Sequence, residues 1–411
     1  MMPAQDGGPQ RGKALGTLGL IERGAIAIRD GRIVAVGAEA EIRAAYEAEE
    51  EYDAGGCAIV PGFVDPHTHL VWAGDRAAEF EMRLAGASYM EIMAAGGGIN
   101  RTVELTRAAS AEQLKQETWS RLGGMLKSGT TTAEVKTGYG LNTAGEVKML
   151  DVIYELARTH WLDIVPTFLG AHAIPPEYKG RTDEYVDLLV NEMIPAVAEF
   201  ARSKNKPMPF IDAFCEEGVF DVAQTRRILE AGKAHGMAIK LHADEFAGIG
   251  GTALAVELGA TSVDHLVATP QADIEALGRS DTIAVSLPAT PFGLGHREYT
   301  PARAIIEAGG ALALATDCNP GTAWCESMPF VMALACRAMG LTPAEALAGA
   351  TINAAYAVGM GDSVGSIEPG KKADLVFLDT SDWRHLAYRF GGNIVREVMK
   401  EGRFAWQQSM P

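Results

Sequence analysis

The two ends of the chain share a pattern in which apolar and polar residues alternate over short segments. Such alternation is typical of strands that bury one face. The segment GAIAIRDGRIVAVG (24–37) predicts a β-hairpin that turns at Asp30-Gly31, and residues 365–380 and 393–406 predict further short strands. We therefore expect both ends to pair into one small β-sandwich. Residues 1–16 are polar and rich in Gly and Pro, and we expect them to be loose, without fixed structure.

The middle of the chain has a different pattern, in which short apolar runs each lead into a helical segment such as 110–129 or 145–159. Continuous apolar runs are typical of parallel strands that helices cover on both faces. Eight such runs predict a closed (β/α)₈ barrel. They are residues 58–65, 130–137, 163–170, 209–216, 237–244, 261–266, 282–289 and 311–317. The predicted fold is α/β: a TIM-like barrel of residues 63–364 and a composite β-sandwich domain of residues 1–62 and 365–411.

The charge balance limits the partners of the chain. With 36 Lys and Arg against 53 Asp and Glu, the net charge is −17, which argues against nucleic acid and anionic membranes as partners. A small-molecule substrate that is itself anionic would need a local cation in its pocket.

The five cysteines form no C-x-x-C pair and no run of 18 apolar residues occurs, so we expect a cytoplasmic protein.

Histidine and aspartate follow several of the predicted barrel strands. His67 and His69 follow the first strand and point to one face, His242 lies in the fifth, and Asp317 follows the eighth. The carboxyl ends of barrel strands meet at one mouth, so we expect these four side chains to converge. Three imidazoles and one carboxylate suit Zn or Fe, and we predict one divalent or trivalent metal ion per chain.

Two further residues at this mouth have the chemistry of acid–base catalysis. Glu245, three residues beyond His242, can take a proton from an activated water and deliver it to a leaving nitrogen. His265, at the end of the sixth strand, can orient or deprotonate that water, or bind a second metal. Cys215 and Glu216, after the fourth strand, are alternative supports for a second metal.

Longer motifs resemble a known family. They are PGFVDPHTHLVWAGDR, EVKTGYGL, FLGAHAIPPEY, KLHADEF, SVDHL and ATDCNPGTAWCESMPFVMALACRAMGLT. From about residue 20 to its end, the chain resembles the imidazolonepropionases, which belong to the metal-dependent amidohydrolases. The H-x-H motif with a late Asp marks only the superfamily, whereas AGDR, KTGYGL, GAHAIPPEY and TDCNPGT together are specific to this activity. The resemblance implies hydrolysis of the ring C–N amide bond of 4-imidazolone-5-propanoate to N-formimidoyl-L-glutamate, in histidine degradation, by a homodimer.

The resemblance also implies roles for individual residues. Arg76 should hold the substrate carboxylate, because a guanidinium matches a carboxylate at two points. The pocket should be lined by Tyr139, His172, Glu245, Asn319, Gly321 and Thr322. Some amidohydrolases bridge two metals with a carboxylated lysine that closes the fourth strand; Lys136 follows the second strand, so we interpret it as structural or as part of a polar floor.

Two other functions use the same features. A metal-dependent deaminase of a small nitrogen heterocycle would share the ligands, Glu245 and His265, but a neutral base needs no carboxylate clamp such as Arg76. A non-catalytic relative would keep the barrel as an assembly scaffold. Such proteins lose metal ligands, and none of the predicted ligands is missing here.

Overall fold

The structure, a computed structural model, describes residues 7–87 and 97–408. It contains fourteen strands within these ranges. They are β1 (Gly24–Arg29), β2 (Arg32–Ala38), β3 (Ile59–Pro61), β4 (Phe63–Asp65), β5 (Thr130–Lys136), β6 (Asp163–Ala171), β7 (Phe210–Cys215), β8 (Lys240–Ala243), β9 (Ser262–His265), β10 (Ile283–Ser286), β11 (Leu312–Leu314), β12 (Leu375–Leu378), β13 (Val395–Lys400) and β14 (Arg403–Gln407).

The α-helices of the same ranges lie mostly between the barrel strands. They are α1 (Glu39–Ala45), α2 (Ala77–Leu84), α3 (Ile99–Ala108), α4 (Ala111–Lys127), α5 (Thr143–Thr159), α6 (Thr182–Leu188), α7 (Ile194–Ser203), α8 (Val222–Ala234), α9 (Gly251–Leu258), α10 (Gln271–Gly278), α11 (Ala289–Leu294), α12 (Ala302–Glu307), α13 (Met328–Ala338), α14 (Pro343–Gly349), α15 (Ile352–Ala357) and α16 (His385–Tyr388). Short 3₁₀ turns cover Gly12–Ala14 and Pro176–Tyr178, and a π-turn covers Leu189–Met193. None of the helices described is long and apolar enough to cross a membrane.

The predicted helices 110–129 and 145–159 are confirmed as α4 and α5. Each begins at a polar residue whose side chain accepts a hydrogen bond from a free backbone N–H of the first turn. Ser110 accepts from the amide of Gln113 at 3.1 Å, and Asn142 accepts from that of Gly145 at 2.7 Å. Local capping chemistry therefore fixes where both helices start.

The eight predicted barrel strands form one parallel sheet in chain order, from β4 to β11. The first and last strands meet just beyond their ends, where Thr68 pairs with Cys318. The amide of His69 donates to the carbonyl of Cys318 at 3.0 Å, and that of Asp317 donates to the carbonyl of His67 at 3.1 Å. The seam of the barrel is thus joined by the segments that carry the candidate metal ligands.

Strands from both chain ends pack beside the barrel, which confirms the composite β-sandwich. The hairpin β1–β2 forms one sheet, and β14, β13, β12 and β3 form the other. β3 pairs with β12, with Ile59 opposite Phe377. A small apolar core of Ile33, Leu375, Phe377 and Met399, with Phe404 packed against it, lies between the two sheets.

The predicted first strand, 58–65, is two strands in two different sheets. β3 belongs to the sandwich and β4 to the barrel, and Gly62 joins them. The amide of Gly62 donates to the carbonyl of Asp374 at 2.8 Å, whereas that of Phe63 donates to the carbonyl of Gly129 at 3.0 Å. A Cβ atom at Gly62 would lie 2.2 Å from Oγ1 of Thr131, so only glycine fits this crossing.

The prediction that residues 1–16 lack fixed structure is wrong for 7–16, and residues 1–6 lie outside the described residues. Gln10 is buried. Its backbone N–H donates to Oδ1 of Asn353 at 2.7 Å, and Nδ2 of Asn353 donates to the backbone carbonyl of Gln10 at 2.8 Å. The amide of Gly12 donates to the carbonyl of Gly310 at 3.1 Å. Hydrogen bonds hold this segment in place, and the pattern of hydrophobic residues does not predict hydrogen bonds.

Candidate metal centre

Unusual backbone geometry marks the strand ends at the barrel mouth. Asp244, His265 and Asp317 have φ angles of 57°, 82° and 53°, in the left-handed region that non-glycine residues seldom adopt. Each such residue costs on the order of 1–3 kcal/mol and persists where surrounding contacts enforce it. Oγ1 of Thr300 donates to the carbonyl of His265 at 2.7 Å, and Oγ1 of Thr252 donates to Oδ2 of Asp244 at 2.6 Å.

The four predicted metal ligands lie together at this mouth, and all are buried. Nε2 of His69 lies 3.2 Å from Nε2 of His67 and 3.4 Å from Nε2 of His242. Oδ1 of Asp317 lies 3.4 Å from Nε2 of His69 and 3.6 Å from Nε2 of His67. Residues from three distant parts of the sequence thus direct their donor atoms at one point.

Two carboxylates orient two of these imidazoles. Nδ1 of His67 lies 2.7 Å from Oδ2 of Asp264, and Nδ1 of His242 lies 2.9 Å from Oδ2 of Asp212. The hydrogen bond with Asp264 places the ring proton of His67 on Nδ1, which leaves the lone pair of its Nε2 facing the centre. Burial lowers the pKa of His67 and of His69 well below the usual histidine value, so both rings are neutral.

This donor set fits a metal cation. The converging nitrogens carry lone pairs, which repel one another without a positive charge between them. Oδ1 of Asp317 is buried and accepts no hydrogen bond from the part of the chain that the structure describes. Oγ1 of Thr290 donates to Oδ2 of the same carboxylate at 2.5 Å, which turns Oδ1 towards the histidines. Three imidazoles and one carboxylate are an ordinary first shell for zinc or iron.

The structure places His265 at this centre. His67, His242 and His265 form a group with ligand atoms within 4.8 Å of one another, as do His67, His69 and Asp317. Cys215 and Glu216 belong to neither group. The carboxylate of Glu216 instead accepts the amides of Glu217 and Phe246, each at 3.0 Å. Within the described ranges, the candidate ligands therefore surround one centre.

Glu245 and His265 lie side by side at the same mouth, with Oε2 of Glu245 at 3.7 Å from Nε2 of His265. Burial, the charge of Asp317 and the charge of Glu216 raise the pKa of Glu245 well above the usual value for glutamate. Burial lowers the pKa of His265 to about 3. At neutral pH the imidazole is neutral, and the raised pKa makes the carboxylate of Glu245 a stronger proton acceptor than an exposed glutamate.

The predicted substrate-binding residues His172 and Tyr139 border the histidine cluster. The ring of His172 stacks on that of His69, with centroids 4.8 Å apart and planes 15° apart, and Tyr139 lies 6.1 Å from His69. Nδ1 of His172 lies 3.0 Å from the carbonyl of Gly138, so it carries the ring proton and leaves Nε2 as an acceptor. Burial raises the pKa of Tyr139, so its hydroxyl stays protonated.

The other predicted substrate-binding residues form a polar loop beside Arg76. Oδ1 of Asn319 accepts the amides of Gly321 and Thr322 at 2.8 and 2.9 Å. A Cβ atom at Gly321 would lie 2.3 Å from Nη1 of Arg76, so the guanidinium lies directly against the loop. Nε of Arg76 donates to Oε2 of Glu79 at 2.9 Å, and its Nη2 also contacts that carboxylate. An ion pair of Arg76 is the alternative to its binding of the substrate carboxylate, and its partner, Glu79, was not predicted.

A buried charged layer lies below the histidines, and it contains Lys136, which we interpreted from sequence as structural or as part of a polar floor. Nζ of Lys136 lies 2.7 Å from Oε1 of Glu134 and 2.8 Å from Oδ2 of Asp212, and the three side chains are fully buried. Burial lowers the pKa of Lys136, but Asp212 and Glu134 raise it more, so the lysine is charged. The sequence signal was available, since TTTAEVKT, PFIDAFCE and TSVDHL each place charged residues inside a buried strand.

Comparison with known proteins agrees with this geometry. The amidohydrolase family model matches residues 58–405, and the model of the bacterial imidazolonepropionase-like composite domain matches residues 24–46. The imidazolonepropionase of Herpetosiphon aurantiacus is 55% identical over 96% of this chain and 93% of its own length. That of Chloroflexus aggregans is 51% identical over 96% of this chain and 94% of its own length.

Solved structures share the fold at lower identity. A zinc-bound adenosine deaminase from Xanthomonas campestris has a TM-score of 0.67 and 21% identity, covering 94% of this chain and 89% of its own. The 5-methylcytosine deaminase of Klebsiella pneumoniae has a TM-score of 0.71 and 17% identity, covering 94% of both chains. These two show the fold alone. The chain belongs to the amidohydrolase family and, within it, to the imidazolonepropionases.

Proposed function

We propose that this chain hydrolyses the ring C–N amide bond of 4-imidazolone-5-propanoate to N-formimidoyl-L-glutamate, with one zinc or iron ion per chain. The observation that carries the proposal is the convergence of four donor side chains beside Glu245. The ion would be held by His67, His69, His242 and Asp317. Membership of the imidazolonepropionases supports the choice of substrate over that of a deaminase.

The bound ion supplies Lewis-acid activation of water and of the ring carbonyl. Glu245 takes one proton from the attacking water as the oxygen bonds to the carbonyl carbon. It then delivers that proton to the ring nitrogen as the C–N bond breaks, so that the nitrogen leaves as a neutral N–H. His265, 3.7 Å from Glu245 and neutral, orients the water through its ring nitrogen. Because both groups are nearly buried, bulk water is kept from the reacting atoms.

The remaining residues bind the substrate. Nε2 of His172 faces the pocket as an acceptor for a ring N–H, and Tyr139 closes the pocket next to it. The turn made by Asn319, Gly321 and Thr322 presents polar groups beside Arg76. Arg76 holds the propionate tail, which requires its guanidinium to share or exchange the contact with Glu79. A homodimer and a cytoplasmic location remain predictions.

Replacing Arg76 with Met tests the choice of substrate. A charge-assisted hydrogen bond contributes about 1.5–3 kcal/mol, which is roughly 10- to 150-fold in binding. We therefore expect Arg76→Met to raise KM for 4-imidazolone-5-propanoate at least about tenfold without changing the metal content. Arg76→Lys should recover only part of this loss, because an ammonium cannot contact a carboxylate at two coplanar points.

Arg83→Met is the matched control. Arg83 also pairs with Glu79, at 3.7 Å, and donates to the carbonyl of Gly321 at 3.3 Å. Replacing Arg83, which lies in α2, removes the same charge from the surroundings of Glu79 but leaves Arg76 in place, so KM should rise less. Steady-state kinetics give KM for both variants. If KM is unchanged in Arg76→Met, or rises equally in both variants, Arg76 does not hold the substrate carboxylate.

A further inference from the structure

Lys136 lies beneath the candidate metal centre, at the end of β5, and its ammonium reaches two strands of the barrel that are not adjacent to β5. Its Nζ lies 2.8 Å from Oδ2 of Asp212 on β7 and 3.8 Å from Oδ2 of Asp264 on β9. It also lies 2.7 Å from Oε1 of Glu134 on its own strand. None of these four side chains is exposed to solvent, so the contacts are unscreened by water.

The same two aspartate oxygens contact the metal-ligand histidines. Oδ2 of Asp212 lies 2.9 Å from Nδ1 of His242, and Oδ2 of Asp264 lies 2.7 Å from Nδ1 of His67. Each oxygen is thus shared between Lys136 and one imidazole.

We propose that Lys136 is a positioning residue for the metal, which fixes the orientation of His67 and His242 through Asp264 and Asp212. The proposal rests on the proposed metal ligands. Without the lysine, Asp212 would lose the buried cation that it contacts, and the link between Asp212 and Asp264 would be lost, so that both carboxylates would be free to turn. Lys240 also contacts Asp264, at 3.6 Å, but its Nζ donates to Ser262 at 2.7 Å. Among the described residues only Lys136 contacts both Asp212 and Asp264, so Lys240 does not link the two carboxylates.

The proposal is tested by the Zn²⁺ affinity of the metal-free protein, which is measured by competition with a chromophoric chelator. Loss of an outer-shell partner of a metal ligand costs about 10- to 100-fold in affinity. We expect Lys136→Met to weaken Zn²⁺ binding by this factor and to change the visible spectrum of the Co²⁺-loaded protein. Lys371→Met is the control: this buried lysine donates to the carbonyls of Gly361 and Val364, away from the centre, so the variant should bind Zn²⁺ normally.

The double variant Lys136→Met/Glu134→Gln separates a role of Lys136 in positioning the metal ligands from a role in the stability of the fold. It removes one positive and one negative charge, so it relieves the unpaired charge of Glu134 without restoring the contacts with Asp212 and Asp264. Weak Zn²⁺ binding in both Lys136 variants supports the proposal. Unchanged Zn²⁺ binding in either, or failure of both to fold, would make Lys136 a structural residue only and overturn it. Because no substrate is present, the result is independent of whether the proposed reaction occurs.

Discussion

Glu245→Gln is expected to keep the metal and to lower kcat about 10²–10⁴-fold, the usual effect of losing a general acid–base. Gln has nearly the shape of Glu and keeps the contacts of its neighbours, but it cannot take a proton from water or deliver one to the leaving nitrogen. The measurement is kcat for 4-imidazolone-5-propanoate together with metal analysis of the same preparation.

Glu217→Gln is the matched control for this variant. Glu217 is an exposed carboxylate on a neighbouring loop, so its replacement removes the same charge without touching the mouth. It should retain full turnover and full metal. If Glu245→Gln turned over at the rate of the control, proton transfer would have to be assigned to another group, and His265 would be the first to test.

Asp317→Ala is expected to lose metal and turnover together, with kcat falling at least about 100-fold, because removing a ligand costs more than removing its outer-shell partner. Asp317 supplies the one carboxylate of the donor set, and Thr290 directs it. Metal analysis after gel filtration and the turnover assay give the two readouts. Asp281→Ala, at a fully exposed aspartate, is the control and should change neither. A variant of Asp317 with full metal and full turnover would show that the ligand assignment is wrong.

The barrel and the candidate ligands could be predicted from sequence because each depends on local patterns. An apolar run followed by a polar residue is visible within one segment, and the fold places all such strand ends at one mouth. The pattern could not separate β3 from β4, since an apolar run does not indicate which sheet it joins. The change of sheet occurs at Gly62, where Thr131 approaches so closely that only glycine fits, and this contact exists only in the folded barrel.

The contacts within the charged layer beneath the centre could not be predicted in the same way. Lys136, Asp212 and Asp264 lie on three strands, and their contacts depend on strand register in the folded barrel. The pair of Arg76 and Glu79 is different, because a spacing of three residues can be read directly from the chain. The spacing allows this pair but does not show that it forms, because the sequence also leaves Arg76 free to bind the substrate carboxylate.

The most direct test of the account is the fate of 4-imidazolone-5-propanoate with the metal-loaded and the chelator-stripped protein. With the metal-loaded protein, we expect the ultraviolet absorbance of the substrate to be lost and N-formimidoyl-L-glutamate to form without release of ammonia. Chelation should abolish turnover until one equivalent of Zn²⁺ or Fe²⁺ per chain is returned. Ammonia as a product, no turnover by the fully loaded protein, or full turnover by the stripped protein would contradict it.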